Sequence, residues 1–456
     1  MYLFFLFWAC SFSSISEIDK SPQRNVIVIV VDTLRADRIG AYGNTQNNAT
    51  PNIDKLAQTG LLFEQSYSQS GWTLPSFASL FTGLYPFEHR VVHSSENKEA
   101  FGMLSKKTST LATLFREQGY QTVAFVNNTF LAPQFGLNVG FEDYFYHGAD
   151  NYKLRTAKQT TDLAIHWLED QAQNNDTHNP FFMVIHYMEP HMNLAPSDEV
   201  KGIFSKENKI IQPPFTEVDS NNWAIEQKRN EHPNMIQEVL HIYDEEIYSV
   251  DLAIGNLVQG LDELGRRKDT LIVFTSDHGE EYWEHGNFGH GHNLYGVLTK
   301  VPLIVNGPTL EDLGRHDFLV EHVDVFHSIL TYVGITTPEK SRGQDIFSMA
   351  RKGETVDRWI YGENTLYGDP MISMTTKSHR LLLNQNNKTA TLWKTENGIN
   401  TESVPQEQQN TLSQPLLKAI KVVRGNIEPI KDLEEIIIPG REMFQQLRAL
   451  GYIEDE

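Results

Sequence analysis

The strongest constraint on the fold is an uninterrupted run of β-branched residues near the start of the chain, NVIVIVV at residues 25–31. A strand that is apolar on both faces belongs inside a parallel sheet covered by helices on each side. Further apolar runs, PFFMVIHY, DTLIVFTS and VPLIVNGP, alternate with helical patterns up to about residue 345. This alternation predicts an α/β fold with a doubly wound sheet.

The pattern changes after residue 345. The stretch HRLLLNQNNKTATLWKTENG has short alternating runs around an Asn-rich turn, which predicts antiparallel strands. TESVPQEQQNTLSQP is polar and predicts a loop, and REMFQQLRALG predicts a terminal helix. We therefore divide the chain into a candidate export or lipoprotein signal at 1–20, a catalytic domain at 21–345 and a small C-terminal domain at 346–456.

Charge and cysteine content limit the partners and the location. The chain has 38 basic and 59 acidic residues, a net charge of −21, which repels phosphate backbones and excludes nucleic acid as a partner. The opening MYLFFLFWAC is apolar but too short to span a bilayer. It predicts export to the periplasm or cell envelope, with membrane attachment only through a lipid on Cys10, the single cysteine. The alternative is a misplaced start with no role for Cys10.

Two aspartates follow apolar strands directly. Asp32 comes after NVIVIVV, and Asp277 comes after LIVFTS and precedes His278. Ligands of open α/β sheets bind beyond the carboxyl ends of the strands, so both acids should face one crevice. Either aspartate alone would more often be a turn residue. The pair, with an adjacent histidine, predicts a cation site.

The segment TLPSFASLFTG predicts the start of a helix, with Thr73 as the N-cap and Pro75 in the first turn. A capping threonine is the simpler interpretation. However, a hydroxyl at a helix N-terminus also lies where backbone N–H groups stabilise an anion. Thr73 is therefore a candidate nucleophile.

Histidines and one arginine complete the candidate site. His191 follows a strand, and three more histidines lie in the Gly-rich stretch EHGNFGHGHNLYG, where a surface cluster is the alternative. Arg35, in VDTLRADRIG, is either a contact to an anionic substrate or a surface residue. The three clustered histidines are His285, His290 and His292.

In order and spacing, NVIVIVVDTLRADRIGAYG, FTSDHGEEYWEHG and HGHNLYGVLTKVPLIV resemble the sulfatase family. The resemblance implies the alkaline-phosphatase-like fold, a mixed sheet flanked by helices with a small C-terminal α+β domain. By position it implies Asp32, Asp277 and His278 as metal ligands, Thr73 as the nucleophile, and His191 with His290 or His292 as substrate contacts. From these and the preceding observations we predict a site whose members are Asp32, Thr73, Asp277 and His278 as metal ligands, Thr73, His191, His290 and His292 in catalysis, and Arg35 and His285 in substrate binding.

The chain departs from that family at its most specific motif. Formylglycine-dependent sulfatases have Cys/Ser-x-Pro-Ser-Arg, whereas this chain has Thr73 at the first position and Phe77 at the last. Threonine cannot form the aldehyde, because its β-carbon bears a methyl group, but it matches the nucleophile of phosphodiesterases and phosphoryl transferases in the wider superfamily. We therefore predict a metal-dependent hydrolase or transferase of phosphoryl diesters or phosphonate esters. The alternatives are a sulfatase that works without formylglycine and an inactive anion-binding protein.

The same departures bear on the cofactor. The resemblance implies a divalent cation held by oxygen ligands, which suits calcium. Here His278 stands in place of an amide and Thr33 in place of a carboxylate. An imidazole and fewer hard oxygen ligands favour manganese or zinc over calcium. The predicted partner is a small anionic phosphate or sulfate ester.

Overall fold

The computed structural model describes residues 24–94, 97, 100–148, 154–173, 179–216, 231–355, 357–425 and 435–449. The predicted signal at 1–20, with Cys10, lies outside the described residues, so export and lipid attachment stay predictions. Among the described helices, none combines the length and apolar character that crossing a bilayer requires.

The strands of the described chain are β1 Asn25–Val31, β2 Leu61–Tyr67, β3 Phe101–Gly102, β4 Gln121–Val126, β5 Asp143–Tyr146, β6 Phe181–Tyr187, β7 Thr270–Ser276, β8 Glu281–Tyr282, β9 Phe288–Gly289, β10 Leu303–Asn306, β11 Gly314–Glu321, β12 Ile360–Glu363, β13 Met371–Thr375, β14 His379–Asn384, β15 Ala390–Glu396, β16 Ile399–Ser403 and β17 Ile436–Ile437. The helices are α1 Pro51–Gln58, α2 Thr73–Thr82, α3 Pro86–His89, α4 Leu111–Glu117, α5 Ala157–Gln173, α6 Met235–Glu263, α7 Gly296–Thr299, α8 His322–Tyr332, α9 Ile346–Lys352, α10 Gln406–Arg424 and α11 Arg441–Ala449.

The large sheet has eight strands in the order β11-β2-β10-β7-β1-β6-β4-β5. Strand β10 runs antiparallel to both of its neighbours, and the other neighbouring strands are parallel. The predicted mixed α/β sheet is therefore confirmed.

Strand β1 lies at the centre of this sheet, and each of its seven residues is buried. Val26, Val28 and Val30 pack into a core that includes residues of α2 and α8. The alternate residues, Ile27 and Ile29, pack into a second core that includes residues of α5 and α6. Because successive side chains of a strand point to opposite faces, the β-branched run reflects a sheet that is covered on both sides.

The small sheet is a five-stranded antiparallel meander, β12-β13-β14-β15-β16, as the alternating pattern predicts. The loop predicted over 401–415 is wrong, because this stretch contains the end of β16 and the first half of α10. Leu416, Ala419 and Ile420 of α10 pack against the core of the small sheet. Their spacing of three and four residues forms the apolar stripe of an amphipathic helix.

The boundary between the two predicted domains stays a prediction. Ile346 and Phe347 of α9 pack into a core of the large sheet, so this helix lies with the first layer. Near the other end of the chain, β17 pairs with β3, which places Ile437 opposite Phe101. The C-terminal part of the chain thus contacts the large domain at more than one point.

Candidate active site

The register of the central strands brings Asp32 and Asp277 together. Strand β1 pairs in parallel with both β6 and β7, and Val31 lies level with Ser276. The next residue of each strand therefore emerges at the same edge of the sheet. The backbone N–H of Thr33, which has a left-handed φ of 56°, donates to Asp277 Oδ1 at 3.2 Å and joins the two strand ends.

Asp32, Asp277 and His278 form a compact, fully buried cluster. One potential ligand atom from each lies within 4.8 Å of the other two. His278 Nε2 is 3.4 Å from Asp277 Oδ2 and 3.8 Å from Asp32 Oδ1. In the described part of the chain, Asp277 Oδ2 and Asp32 Oδ1 have no hydrogen-bond partner. Two buried carboxylate oxygens and an imidazole nitrogen that converge in this way fit a divalent cation.

The electrostatics of the two carboxylates support that fit. Burial, together with the nearby negative charge of Asp32, raises the pKa of Asp277 well above its usual range. Burial alone would also raise the pKa of Asp32, but the surrounding histidines, His191 first, outweigh it and lower that pKa. Two like charges in a dry site are stable together only with a compensating positive charge.

The Asp-His-Gly sequence fixes the orientation of the imidazole. The His278 Nδ1–H donates to the carbonyl of Gly279 at 2.9 Å, which leaves the lone pair on Nε2 toward the carboxylates. Gly279 is required by close approach, because a β-carbon at this position would lie 2.0 Å from the carbonyl oxygen of Val297. The turn therefore packs Gly279 against α7.

Thr73 lies beside this cluster. The structure places it as the first residue of α2, with Trp72 as the N-cap, so the predicted N-cap position is wrong by one residue. The Thr73 Oγ1 lies 3.4 Å from His278 Nε2. Thr73 is fully buried. The structure thus brings together the four residues predicted as metal ligands, with the predicted nucleophile among them.

Phe77, one turn later on α2, replaces the charge of the family's arginine with apolar packing. Its ring lies edge to face against His186, with centroids 5.3 Å apart, and against Phe81 at 5.6 Å. His186 Nε2 in turn lies 3.2 Å from Asp32 Oδ2. Phe77 therefore contacts a histidine that pairs with the cation cluster.

His186 and Asn128 were missed in the sequence. Asn128 Oδ1 accepts from the N–H of Phe130 at 2.9 Å, so its amide nitrogen faces the site. That Nδ2 donates to Asp32 Oδ2 at 2.7 Å and lies 3.5 Å from Thr73 Oγ1. Both residues stand at the carboxyl ends of buried strands, β6 and β4, and polar residues at such positions were the available signal.

The predicted catalytic histidines separate into two groups. The His290 ring lies 4.5 Å from the His278 ring and 5.0 Å from the His191 ring, measured between centroids. His292 Nε2 instead lies 3.0 Å from Glu281 Oε2. His191 and His290 therefore border the cation cluster.

Burial also shifts the pKa values of the acid–base groups that border the cation cluster. It lowers the pKa of His290 to about 4. It raises the pKa of Glu280, whose Oε1 lies 2.9 Å from His290 Nδ1, to about 8. Such shifts in a strand-edge crevice are typical of functional sites.

Comparison with known proteins identifies the family. The sequence model of the sulfatase family matches residues 24–335, more than half of the chain. The chain belongs to the sulfatase family. It is 23% identical over 419 residues to an arylsulfatase of Clostridium perfringens, which covers 78% of this chain and 85% of that protein. It is 24% identical over 432 residues to the iduronate 2-sulfatase of Mus musculus, with 76% of each chain covered.

Solved structures of the same fold include proteins that act on different esters. One is a protein in complex with its substrate D-glucosamine-2-N,6-O-disulfate, with a TM-score of 0.70, 19% identity, and 89% of this chain and 99% of that chain covered. Another is the phosphonate monoester hydrolase of Agrobacterium radiobacter, with a TM-score of 0.68, 17% identity, and 89% and 96% covered. At these identities the shared property is the fold, and this chain is a sulfatase-family hydrolase of the alkaline phosphatase superfamily.

Two predicted substrate contacts of this sulfatase-family member are engaged elsewhere in the structure. The Arg35 guanidinium donates to Asp37 at 2.8 Å and to Glu284 at 2.5 Å, with only 7% of its side chain exposed. His285 stacks on Tyr295 with ring centroids 3.9 Å apart. A role for Arg35 or His285 in substrate binding stays a prediction.

The small sheet of this sulfatase-family chain contacts the segment before Thr73. The indole N–H of Trp72 donates to Asn364 Oδ1 at 3.1 Å. The N–H of Gly291, next to His290, donates to the carbonyl of Gly71 at 3.0 Å, and the Gly291 carbonyl accepts from Leu366 N–H at 2.7 Å. The nucleophile segment, the His290 segment and the small sheet are therefore joined by hydrogen bonds.

Proposed function

We propose that this chain hydrolyses phosphoryl diesters or phosphonate monoesters with Thr73 as the nucleophile. The observation that carries the proposal is the position of the Thr73 hydroxyl, fully buried at the start of α2 and beside His278 and the two carboxylates. The substrate is a small anionic ester.

The residues around Thr73 account for each requirement of a covalent mechanism. A divalent cation held by Asp32, Asp277, His278 and Thr73 Oγ1 would favour ionisation of the hydroxyl and neutralise substrate oxygens. The backbone N–H groups at the start of α2 and the Asn128 amide stabilise negative charge near Thr73. A histidine at the border protonates the leaving alcohol.

Threonine favours phosphorus over sulfur through the second half of the reaction. In a formylglycine enzyme the intermediate is a hemiacetal sulfate, and its second hydroxyl expels sulfate by C–O cleavage. A Thr73 ester has no such hydroxyl, so water must attack the central atom directly. Phosphorus accepts this second displacement when a cation and hydrogen-bond donors neutralise the charge.

The charge around the site agrees with a singly charged substrate. Phe77 brings aromatic packing where formylglycine enzymes have an arginine, and the groups that contact Thr73 include the neutral amide of Asn128 and the imidazole of His278. Fewer fixed positive charges favour a monoanionic diester or phosphonate monoester over a dianionic phosphate monoester. One neighbour in fold is a phosphonate monoester hydrolase, which supports the same substrate class.

We propose manganese or zinc as the cation. The donor set contains two carboxylates, one hydroxyl and one imidazole, and the imidazole suits these metals better than calcium. Calcium remains the alternative because the carboxylates bind it well.

A sulfatase that works without formylglycine is the second candidate, and the names of the relatives, arylsulfatase and iduronate 2-sulfatase, favour it. The test compares kcat/KM for a p-nitrophenyl phosphodiester, a p-nitrophenyl phosphonate and p-nitrophenyl sulfate in one buffer with one metal. We expect a preference for the phosphoryl esters greater than tenfold, which corresponds to about 1.4 kcal/mol.

Faster turnover of the sulfate would establish the second candidate instead. Failure of the metal-loaded protein to turn over any ester would favour an anion-binding protein. The Thr73→Ala variant, purified in the same way, controls for contaminating phosphatases.

A further inference from the structure

A short hairpin follows the His278 turn and has an unusual acid–histidine arrangement at its open end. Strands β8 and β9 pair antiparallel, with Glu281 opposite Gly289. The residues just outside that pair, Glu280 and His290, therefore face each other. His290 Nδ1 lies 2.9 Å from Glu280 Oε1, and Glu280 is fully buried.

The neighbouring acid makes a second pair of the same kind with a different role. Glu281 Oε2 lies 3.0 Å from His292 Nε2. Glu281 Oε1 also accepts from the backbone N–H groups of His285 and Asn287, at 2.9 and 3.1 Å, so it closes the hairpin loop. The Glu280–His290 pair, in contrast, borders His278, with the two imidazole centroids 4.5 Å apart.

The group that contacts Nδ1 of the His290 ring also distinguishes this histidine from His191. The His191 Nδ1 contacts the carbonyl oxygen of Met192, which is uncharged. The His290 Nδ1 contacts a carboxyl group, which can both fix the ring and exchange a proton with it. His290 is therefore the better suited of the two rings to give and take a proton during the reaction.

We propose that Glu280 is a positioning residue that holds His290 with Nε2 toward the leaving-group oxygen, so that His290, and not His292, is the general acid. This inference rests on the covalent mechanism proposed above and names the proton donor of that site. "Positioning" here means that Glu280 acts through the His290 ring and makes no contact with substrate.

The proton balance of the proposed reaction is complete. In the first step the Thr73 oxygen, ionised by loss of its proton to solvent, forms a bond to phosphorus while the phosphorus–oxygen bond to the alcohol breaks. The His290 Nε2 proton moves to the departing oxygen. In the second step water attacks phosphorus, its proton returns to His290 Nε2, and the Thr73 oxygen leaves. One ester and one water thus give one alcohol and one acid.

The test uses the full-length, metal-loaded protein and two leaving groups. General acid catalysis matters more for a poor leaving group such as phenolate than for a good one such as p-nitrophenolate. We expect Glu280→Gln to lower kcat/KM for the phenyl ester by about 10²-fold, with a much smaller loss for the p-nitrophenyl ester and an unchanged KM. Equal losses for both esters would overturn the proposal.

Glu281→Gln is the matched control, because it weakens the adjacent acid–histidine pair of the same hairpin. The loss of kcat/KM in this variant should be the same for both leaving groups, because it reports only on the structure of the hairpin. A double-mutant comparison gives an independent check, since Glu280→Gln should cause no further loss when added to His290→Ala. A further loss in that background would show that Glu280 acts by another route. If Glu280→Gln does not fold, Glu280→Asp is compared in the same way, with a smaller but still leaving-group-dependent loss expected.

Failure of the proposed substrate class is separable from failure of this inference. If the wild-type protein hydrolyses aryl sulfates and not phosphoryl esters, the substrate class is wrong, and the same leaving-group comparison on aryl sulfates tests the pair. Hydrolysis of none of the esters would overturn both.

Discussion

The Asn128 amide provides the most direct test of how the site stabilises its nucleophile. Asn128→Ala removes a fully buried donor that lies 2.7 Å from Asp32 Oδ2 and 3.5 Å from Thr73 Oγ1. Loss of one preorganised donor at a site of developing negative charge lowers kcat by about 10²–10³-fold. We expect that loss here, with a smaller change in KM.

The same substitution also has a calculable effect on stability. The Asn128 side chain caps a short 3-10 turn at Phe130 N–H, and loss of such a cap costs about 1 kcal/mol. Its hydrogen bond to the buried carboxylate of Asp32 contributes about 1.5–3 kcal/mol. The free energy of unfolding should therefore fall by about 2.5–4 kcal/mol, as these two contributions indicate.

Asn127→Ala separates the catalytic effect from the structural one. Asn127 is also fully buried, but its side chain binds Thr160 Oγ1 at 3.1 Å, Arg155 Nε at 2.7 Å and the main-chain carbonyl of His186. Both variants should lose stability, as measured by chemical denaturation, and only Asn128→Ala should lose most of its kcat at equal folded fraction. If the two variants retain the same activity, the Asn128 amide does not act on the nucleophile and the reasoning is refuted.

Three further predictions concern the nucleophile, the cation and a buried histidine. Thr73→Ala should abolish turnover while circular dichroism stays unchanged, because even the loss of a helix-capping hydrogen bond costs only about 0.5–2 kcal/mol. Substantial residual activity would contradict the assignment. Chelator-treated protein should unfold at a lower temperature and should recover both stability and activity with manganese or zinc. The metal should raise the free energy of unfolding by about 2.7 kcal/mol when its concentration is 100 times its Kd. Full recovery with calcium alone would contradict the metal preference. Burial lowers the pKa of His89 to about 3. Below about pH 6.5 the unfolded chain therefore binds a proton at His89 that the folded chain does not bind. Because of this difference, stability that is present above about pH 6.5 is lost as the pH falls toward 3. This loss is about 2 kcal/mol at pH 5, and His89→Gln should remove it from urea-denaturation curves; unchanged pH dependence in that variant would show that His89 is not responsible.

Strand positions could be predicted because burial on two faces leaves a local pattern. The runs around Ile29 and Val273 are apolar regardless of which strands lie beside them, and the aspartates that follow them mark the edge of the sheet. The helix α10 could not be predicted in the same way. Its first half is rich in glutamine and contains Pro415, and its apolar stripe is recognisable only once the small sheet supplies a surface for Leu416 and Ile420.

Within the site, the residues that could be predicted are those that differ clearly from their neighbours in the sequence. Asp277 and His278 are conspicuous because two potential ligands are adjacent, whereas His186 is a single polar residue in an apolar run and Asn128 is one of two consecutive asparagines. Their roles come from the order β7-β1-β6-β4, which places three non-consecutive strand ends around Asp32. The choice between His290 and the second histidine two residues later likewise required the register of the hairpin.

The hydrogen bonds that join Trp72, Gly291 and the Asn364–Leu366 segment have a consequence for the minimal functional unit. The family match ends at residue 335, and a protein engineer would be tempted to express that part alone. Such a fragment would lack the acceptor of the Trp72 indole and the donor to the Gly291 carbonyl. It would therefore lose the hydrogen bonds that join the nucleophile segment and the His290 segment to the small sheet. We expect a fragment of residues 24–345, which includes the whole family match, to show no turnover. Co-expression with residues 346–456 should restore turnover, because the two parts together form one active site.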